Sequence, residues 1–164
     1  MERAQPKARQ ITVSSVFAKL NLKEQREILV VHAPASFEIA LASLRGVTVL
    51  RDPAVVKTVR FAVAFVYKQS DLDSLSAMLA AKTVGDALLW FAYPKGTSRQ
   101  YRCEFNRDSG WNVMCAAGFR AVRLIAIDTD WSALRFRRVE YGKPSERGIP
   151  PHSAARQRTR QPRS

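Results

Sequence analysis

The apolar and aromatic run that ends at Tyr93 in LLWFAYPKGTSRQ (88–100) is cut within one residue by Pro94, Lys95 and Gly96, which set a cation on a turn. A lysine placed there, with the hydroxyls of Thr97 and Ser98 behind it, has the makings of an anion contact. Proline, lysine and glycine are also common where a strand is simply terminated. Two other places put reactive side chains beside a turn. His32 and Ser36 open and close HAPAS, the stretch after the first apolar run. Asp52 follows the second, near the separation at which an acid takes ribose hydroxyls in nucleotide-binding α/β folds, although RDP (51–53) also reads as a capped turn. Finally, Asp128 and Trp131 lie in DTDWSALRFRR (128–138), where the indole reads as hairpin packing over the sheet end, with Arg135 and Arg137 facing away from Leu134 and Phe136.

Several chemistries find no motif. GxSxG is missing, so no nucleophile elbow is expected. Cys103 and Cys115 match no CxxC-type spacing, and neither histidine has a second histidine or a cysteine near it, so no metal is expected. A nucleotide or S-adenosylmethionine site of the ordinary sort needs a glycine-rich loop after the first strand, where the backbone approaches the ligand closely. HAPAS contains no glycine. No cofactor is therefore expected, with S-adenosylmethionine as the alternative.

Charge points elsewhere. The chain of 164 residues carries a formal net charge of +13. From Gly142 onward, six basic residues, Arg156, Arg158, Arg160 and Arg163 among them, face only Glu146. Arg120, Arg123, Arg135, Arg137 and Arg138 add five cations on the last pair of strands. A basic face with a basic arm is the footprint of nucleic-acid binding driven by counterion release, and an arginine-rich genome composition gives the same count without selection. No apolar run approaches the roughly 18 residues of a membrane span, and MERAQPKARQ has no secretory core. A cytoplasmic protein is expected.

The elements that must position these groups alternate. EILVVHAP (27–34) is a short apolar run ended by a breaker, and FEIALASLRG repeats Phe37, Ala40, Leu41 and Leu44 at helical spacing, with Ser36 as cap and Gly46 at the end. VTVLRD and RFAVAFVYK read as the second and third strands, the latter apolar on both faces as a covered central strand requires. SDLDSLSAMLAAK opens with Ser70 and Asp73 in capping-box spacing and repeats Leu72, Leu75 and Leu79. DALLWFAYPKG is a fourth buried strand. Asp108 is expected to cap a helix that Gly118 closes, and Val122 to Asp128 and Ser132 to Val139 are close enough to allow only an antiparallel hairpin. A further helix around SSVFAKLNL packs against one edge.

The pattern predicts an α/β fold: a three-layer αβα sandwich on a mostly parallel, doubly wound sheet of about six strands, ending in the hairpin. The predicted domain spans 13–141, between a disordered arm (1–12) and a disordered basic tail (142–164).

FAKLNLK, LLWFAYPKGTS and AIDTDWSALRFRR, in this order, resemble a family of small bacterial proteins known only as a domain of unknown function. The resemblance covers about residues 16–140 and points to Pro94, Lys95, Ser98, Asp128, Trp131, Ser132, Leu134 and Arg138 without implying a reaction. The layout is also similar to the class I methyltransferase fold, shortened by at least one strand and helix. The resulting expectation is a binding or regulatory module without catalysis, its site the crevice near Lys95, Asp128 and Trp131, with Tyr93 lining it. Two alternatives stand beside it. One is a reduced S-adenosylmethionine-dependent methyltransferase using His32, Ser36 and Asp52. The other is a nucleic-acid accessory protein acting through its tail. A protein partner is left open, and no membrane is expected.

Overall fold

Two apolar runs form the middle of one sheet because they bury side chains on both faces. They are Val59–Phe65 and the second half of Thr83–Pro94. In the computed structural model, which describes residues 15–142, the elements in chain order are α1 (Ser15–Lys19), β1 (Glu27–Val31), α2 (Ala35–Ala42), β2 (Thr48–Leu50), β3 (Val59–Phe65), α3 (Gln69–Lys82), β4 (Thr83–Pro94), α4 (Asn112–Ala116), β5 (Phe119–Ala126) and β6 (Trp131–Arg138). The N-terminal arm and the basic tail from Lys143 onward, with Arg156, Arg158, Arg160 and Arg163, lie outside the described residues.

The strands hydrogen-bond in the order β2-β1-β3-β4-β6-β5. The first four are parallel, and β6 runs antiparallel to both β4 and β5. From β1 the chain steps outward to β2, and from β3 it steps the other way to β4. Right-handed crossovers in opposite directions place their helices on opposite faces. Phe37 and Leu41 of α2 accordingly pack with Ile28, Val30, Phe61, Val63 and Trp90. Leu72, Leu75 and Leu79 of α3 pack on the other face with Ala62, Ala64, Leu89 and Phe91. The result is the three-layer α/β sandwich that the alternating pattern predicts.

Several local expectations are corrected. Helix α1 reaches the edge strand β5, where Lys19 Nζ donates to the Ala126 carbonyl at 2.9 Å, and also extends inward: Phe17 and Leu20 join the α2 face, and the buried Trp90 indole donates to the Leu20 carbonyl at 3.0 Å. Ser36 does not cap α2, which starts at Ala35 behind Pro34 without a side-chain cap. Ser70 and Asp73 form no capping box either. The first free N–H of α3, on Gln69, donates instead to Glu104 Oε1 at 2.8 Å, so the cap comes from a distant loop. Asp108 likewise leaves α4 uncapped and uses its own N–H on Asn106 Oδ1. Gly46 lies beyond the end of α2, at φ +72 in the turn toward β2. Both hairpin strands begin earlier than expected, and β5 carries a bulge at Val122, where Ala121 faces Phe136 and Arg123 already faces Arg135.

Candidate functional site

Strand β4 delivers its last buried ring, Tyr93, to the carboxyl edge of the sheet, and the chain then leaves as a long ordered loop, 95–111, before α4. Hydrogen bonds pin that loop to its surroundings. The Lys95 N–H donates to the Asp130 carbonyl at 2.7 Å, and Ser98 Oγ donates to Asp130 Oδ1 at 2.8 Å while accepting the Gln100 and Tyr101 N–H groups. Further on, the Glu104 N–H donates to the Tyr67 carbonyl as its carboxylate caps α3, and Gln69 Nε2 reaches the Gly110 carbonyl at 2.8 Å. Gly110 has φ +99, and a Cβ there would stand 2.6 Å from Phe105 Cβ, so only glycine fits. The Trp111 indole closes the loop on the Asn106 carbonyl.

Between this loop and the end of β4 lies an open groove of about 1140 Å³. Tyr93, Phe105 and Trp111 pack beneath it, ring centroids 5.3 to 5.9 Å apart. Lys95, Arg99, Arg102 and Arg107 line it, and among the described residues no Asp or Glu does. Among the described residues, only Arg107 of these meets an acid, Asp108, at 3.4 Å on the exposed side. Burial holds the Tyr93 phenol and the Cys103 thiol above their ordinary pKa values, so both stay protonated and Cys103 is not a ready nucleophile. The arrangement can therefore bind anions by charge and hydrogen bonding.

Of the residues expected to form a site, the structure bonds Ser36 to Asp128 and sets the Lys95 backbone against the hairpin turn that carries Asp128 and Trp131. Lys95, Tyr93, Thr97 and Ser98 line the groove, with Ser98 spent on the hairpin turn. Asp128 Oδ1 accepts the Asp130 and Trp131 N–H groups at 2.9 Å, and its Oδ2 accepts from Ser36 Oγ at 3.1 Å. Trp131, 3% exposed, packs edge-on against Phe65 and beside Tyr101. His32 is exposed at the end of β1, in the left-handed region at φ 58. Asp52 accepts the Ala54 N–H at 2.9 Å, the capped turn that RDP allows. Among the described residues, no group of three His, Cys, Asp or Glu side chains comes together as a metal site.

The five hairpin arginines are mostly committed within the fold. Arg137 grips Asp86 in a two-pronged pair, its closest contact 2.7 Å, and Arg135 approaches the same carboxylate at 3.9 Å. Arg138 donates to the Ala80 carbonyl and Thr83 Oγ1 and lies over the Phe119 ring. Arg120 is partly buried, with its Nε and Nη1 shielded from solvent, which leaves Arg123 as the exposed member. Arg99, Tyr101, Arg102 and Arg107 belong to the groove although nothing in the apolar pattern marks them. Their signal is the alternation of cations and rings in RQYRCEFNR (99–107), which has no helical or strand period.

No protein-family model and no curated protein matches the chain by sequence. Among solved structures, a SAM-dependent methyltransferase from Aquifex aeolicus superposes with a TM-score of 0.52 at 14% identity, over 83% of this chain and 93% of that one. The mitomycin 7-O-methyltransferase MmcR gives 0.54 at 9% identity, over 81% and 58%. A possible exported protein from Bordetella parapertussis gives 0.52 at 9% identity, over 81% and 68%. The chain thus has a methyltransferase-like Rossmann architecture, and at these identities the likeness is one of fold. Every residue of HAPAS carries a Cβ, the Ser36 hydroxyl is bonded to Asp128, and one oxygen of Asp52 is held by its own turn.

Proposed function

We propose that the protein is a binding module without catalysis, which keeps a methyltransferase-like sheet as a scaffold and takes an anionic ligand in the groove past β4. The observation that carries this reading is the groove itself: four cations and no carboxylate on a loop pinned at both ends. A loop ordered before the ligand arrives has already met its ordering cost, so the cations act from fixed positions. Open α/β sheets also favour ligands outside the carboxyl ends of their strands, where this groove lies. The glycine-free stretch after β1, the Ser36–Asp128 hydrogen bond and the Asp52 turn support the absence of an adenosyl ligand.

The test is thermal unfolding of the full chain with inorganic pyrophosphate or S-adenosylhomocysteine, at ionic strength matched with chloride. Pyrophosphate at a hundred times its dissociation constant stabilises the fold by about 2.7 kcal/mol, a rise of several degrees. The rise is expected to disappear in the Lys95→Ala, Arg102→Gln double variant, whose midpoint without ligand stays near that of the parent. A saturable rise with S-adenosylhomocysteine and none with pyrophosphate would replace this reading with the methyltransferase.

A further inference from the structure

We infer that the ligand of this groove is the sugar-phosphate backbone of single-stranded nucleic acid; the inference rests on the anion-site reading above and narrows it. Pockets that enclose one small molecule usually measure about 300–1,000 Å³. At about 1140 Å³ and partly open to solvent, this groove is larger than that and has room for a polymer. Three of its four cations are arginines, whose planar forks match phosphate oxygens two at a time. Lys95, Arg99 and Arg102 have no acidic partner among the described residues, so their charge is available.

Strand binding without sequence preference combines such a positive track with rings on which bases stack. Tyr101 supplies the ring: it is half-buried at the groove wall, held against Trp131 at 4.9 Å, and lies between Arg99 and Arg102 in the chain. The hairpin, the other basic surface, is a weaker candidate because Arg137 and Arg138 are engaged within the fold.

The experiment measures fluorescence anisotropy of a labelled 20-nucleotide oligothymidylate with the full chain over a salt series. Replacing Arg99, Arg102 and Arg107 by Gln is expected to flatten the plot of log affinity against log salt by about 2, at about 0.7 per phosphate contact on a single strand. Tyr101→Leu, which keeps an apolar contact for Trp131, is expected to weaken binding about five-fold or more at constant slope. Unfolding midpoints near the parent's show that both variants are folded. An unchanged slope in the triple variant overturns the inference, since the strand would then be held elsewhere. Equal displacement by polyglutamate of the same length overturns it in favour of an acidic peptide. Either result, with pyrophosphate still stabilising the parent through Lys95 and Arg102, leaves the anion site standing. Loss of the pyrophosphate effect as well removes both.

Discussion

Asp128 gathers three donors on one carboxylate, the N–H groups of Asp130 and Trp131 and the Ser36 hydroxyl, and so joins the hairpin turn to the start of α2. Its cost of removal should follow from the donors left behind. Asp128→Ala is expected to lower unfolding free energy by about 1–3 kcal/mol in urea titration, and Asp128→Asn by less because Oδ1 survives. Ser36→Ala removes one exposed hydrogen bond and should cost under about 1 kcal/mol. His32 poses the opposite case. A side chain in the left-handed region at φ 58 is strained by about 1–2 kcal/mol, while glycine loses about 0.5–1 kcal/mol through chain entropy. His32→Gly should therefore be neutral or stabilising by up to about 1 kcal/mol in the same titration. A loss of more than 1 kcal/mol would mean that the imidazole makes a contact worth keeping.

At the scale of elements, the groove exists because a loop without periodicity is tied to a helix and a hairpin that have it. Glu104 does for α3 what a residue at its own N-terminus does for most helices. Glu104→Ala is expected to cost about 0.5–2 kcal/mol, and hydrogen exchange should rise first in the opening turn of α3 and in residues 99–110. Exchange that rises uniformly over the sheet would instead make Glu104 part of the global core. The hairpin shows the same economy. Ser98 and Asp130 link its turn to the loop, Trp131 fills the face beneath, and Arg138 fastens the far end to Ala80 and Thr83. The residues that stand out in DTDWSALRFRR are thus largely explained by assembly.

For the whole molecule, burial of titratable groups makes stability fall at alkaline pH. Tyr93, Cys103 and Cys115 all have folded pKa values raised by burial. A raised value means the folded state holds its proton longer, so the contribution is complete below the unfolded pKa and is lost as pH rises through the folded one. For the thiols that loss begins near pH 8.5, and for the phenol near pH 10. The Cys103→Ser, Cys115→Ser variant should show a shallower fall in Tm than the parent between about pH 8 and 10, measured under reductant, with the steeper fall above 10 retained. Identical curves would mean that the thiols ionise freely in the fold.

The sequence by itself determined the layers. Continuous apolar runs at Phe61–Val66 and Ala87–Tyr93 have few places to go but the middle of a covered sheet, and the short link before Trp131 compels an antiparallel hairpin. It also marked Lys95 as the cation beyond a buried strand. Only the tertiary structure decided which candidates meet. Ser36 and Asp128 are 92 residues apart and bond to each other. Arg137 finds Asp86 across 51 residues, and Glu104 finds the end of α3 across 35. Such pairings depend on strand order and on the path of one aperiodic loop. Neither leaves a local period to read, because the energies that fix them belong to contacts between elements.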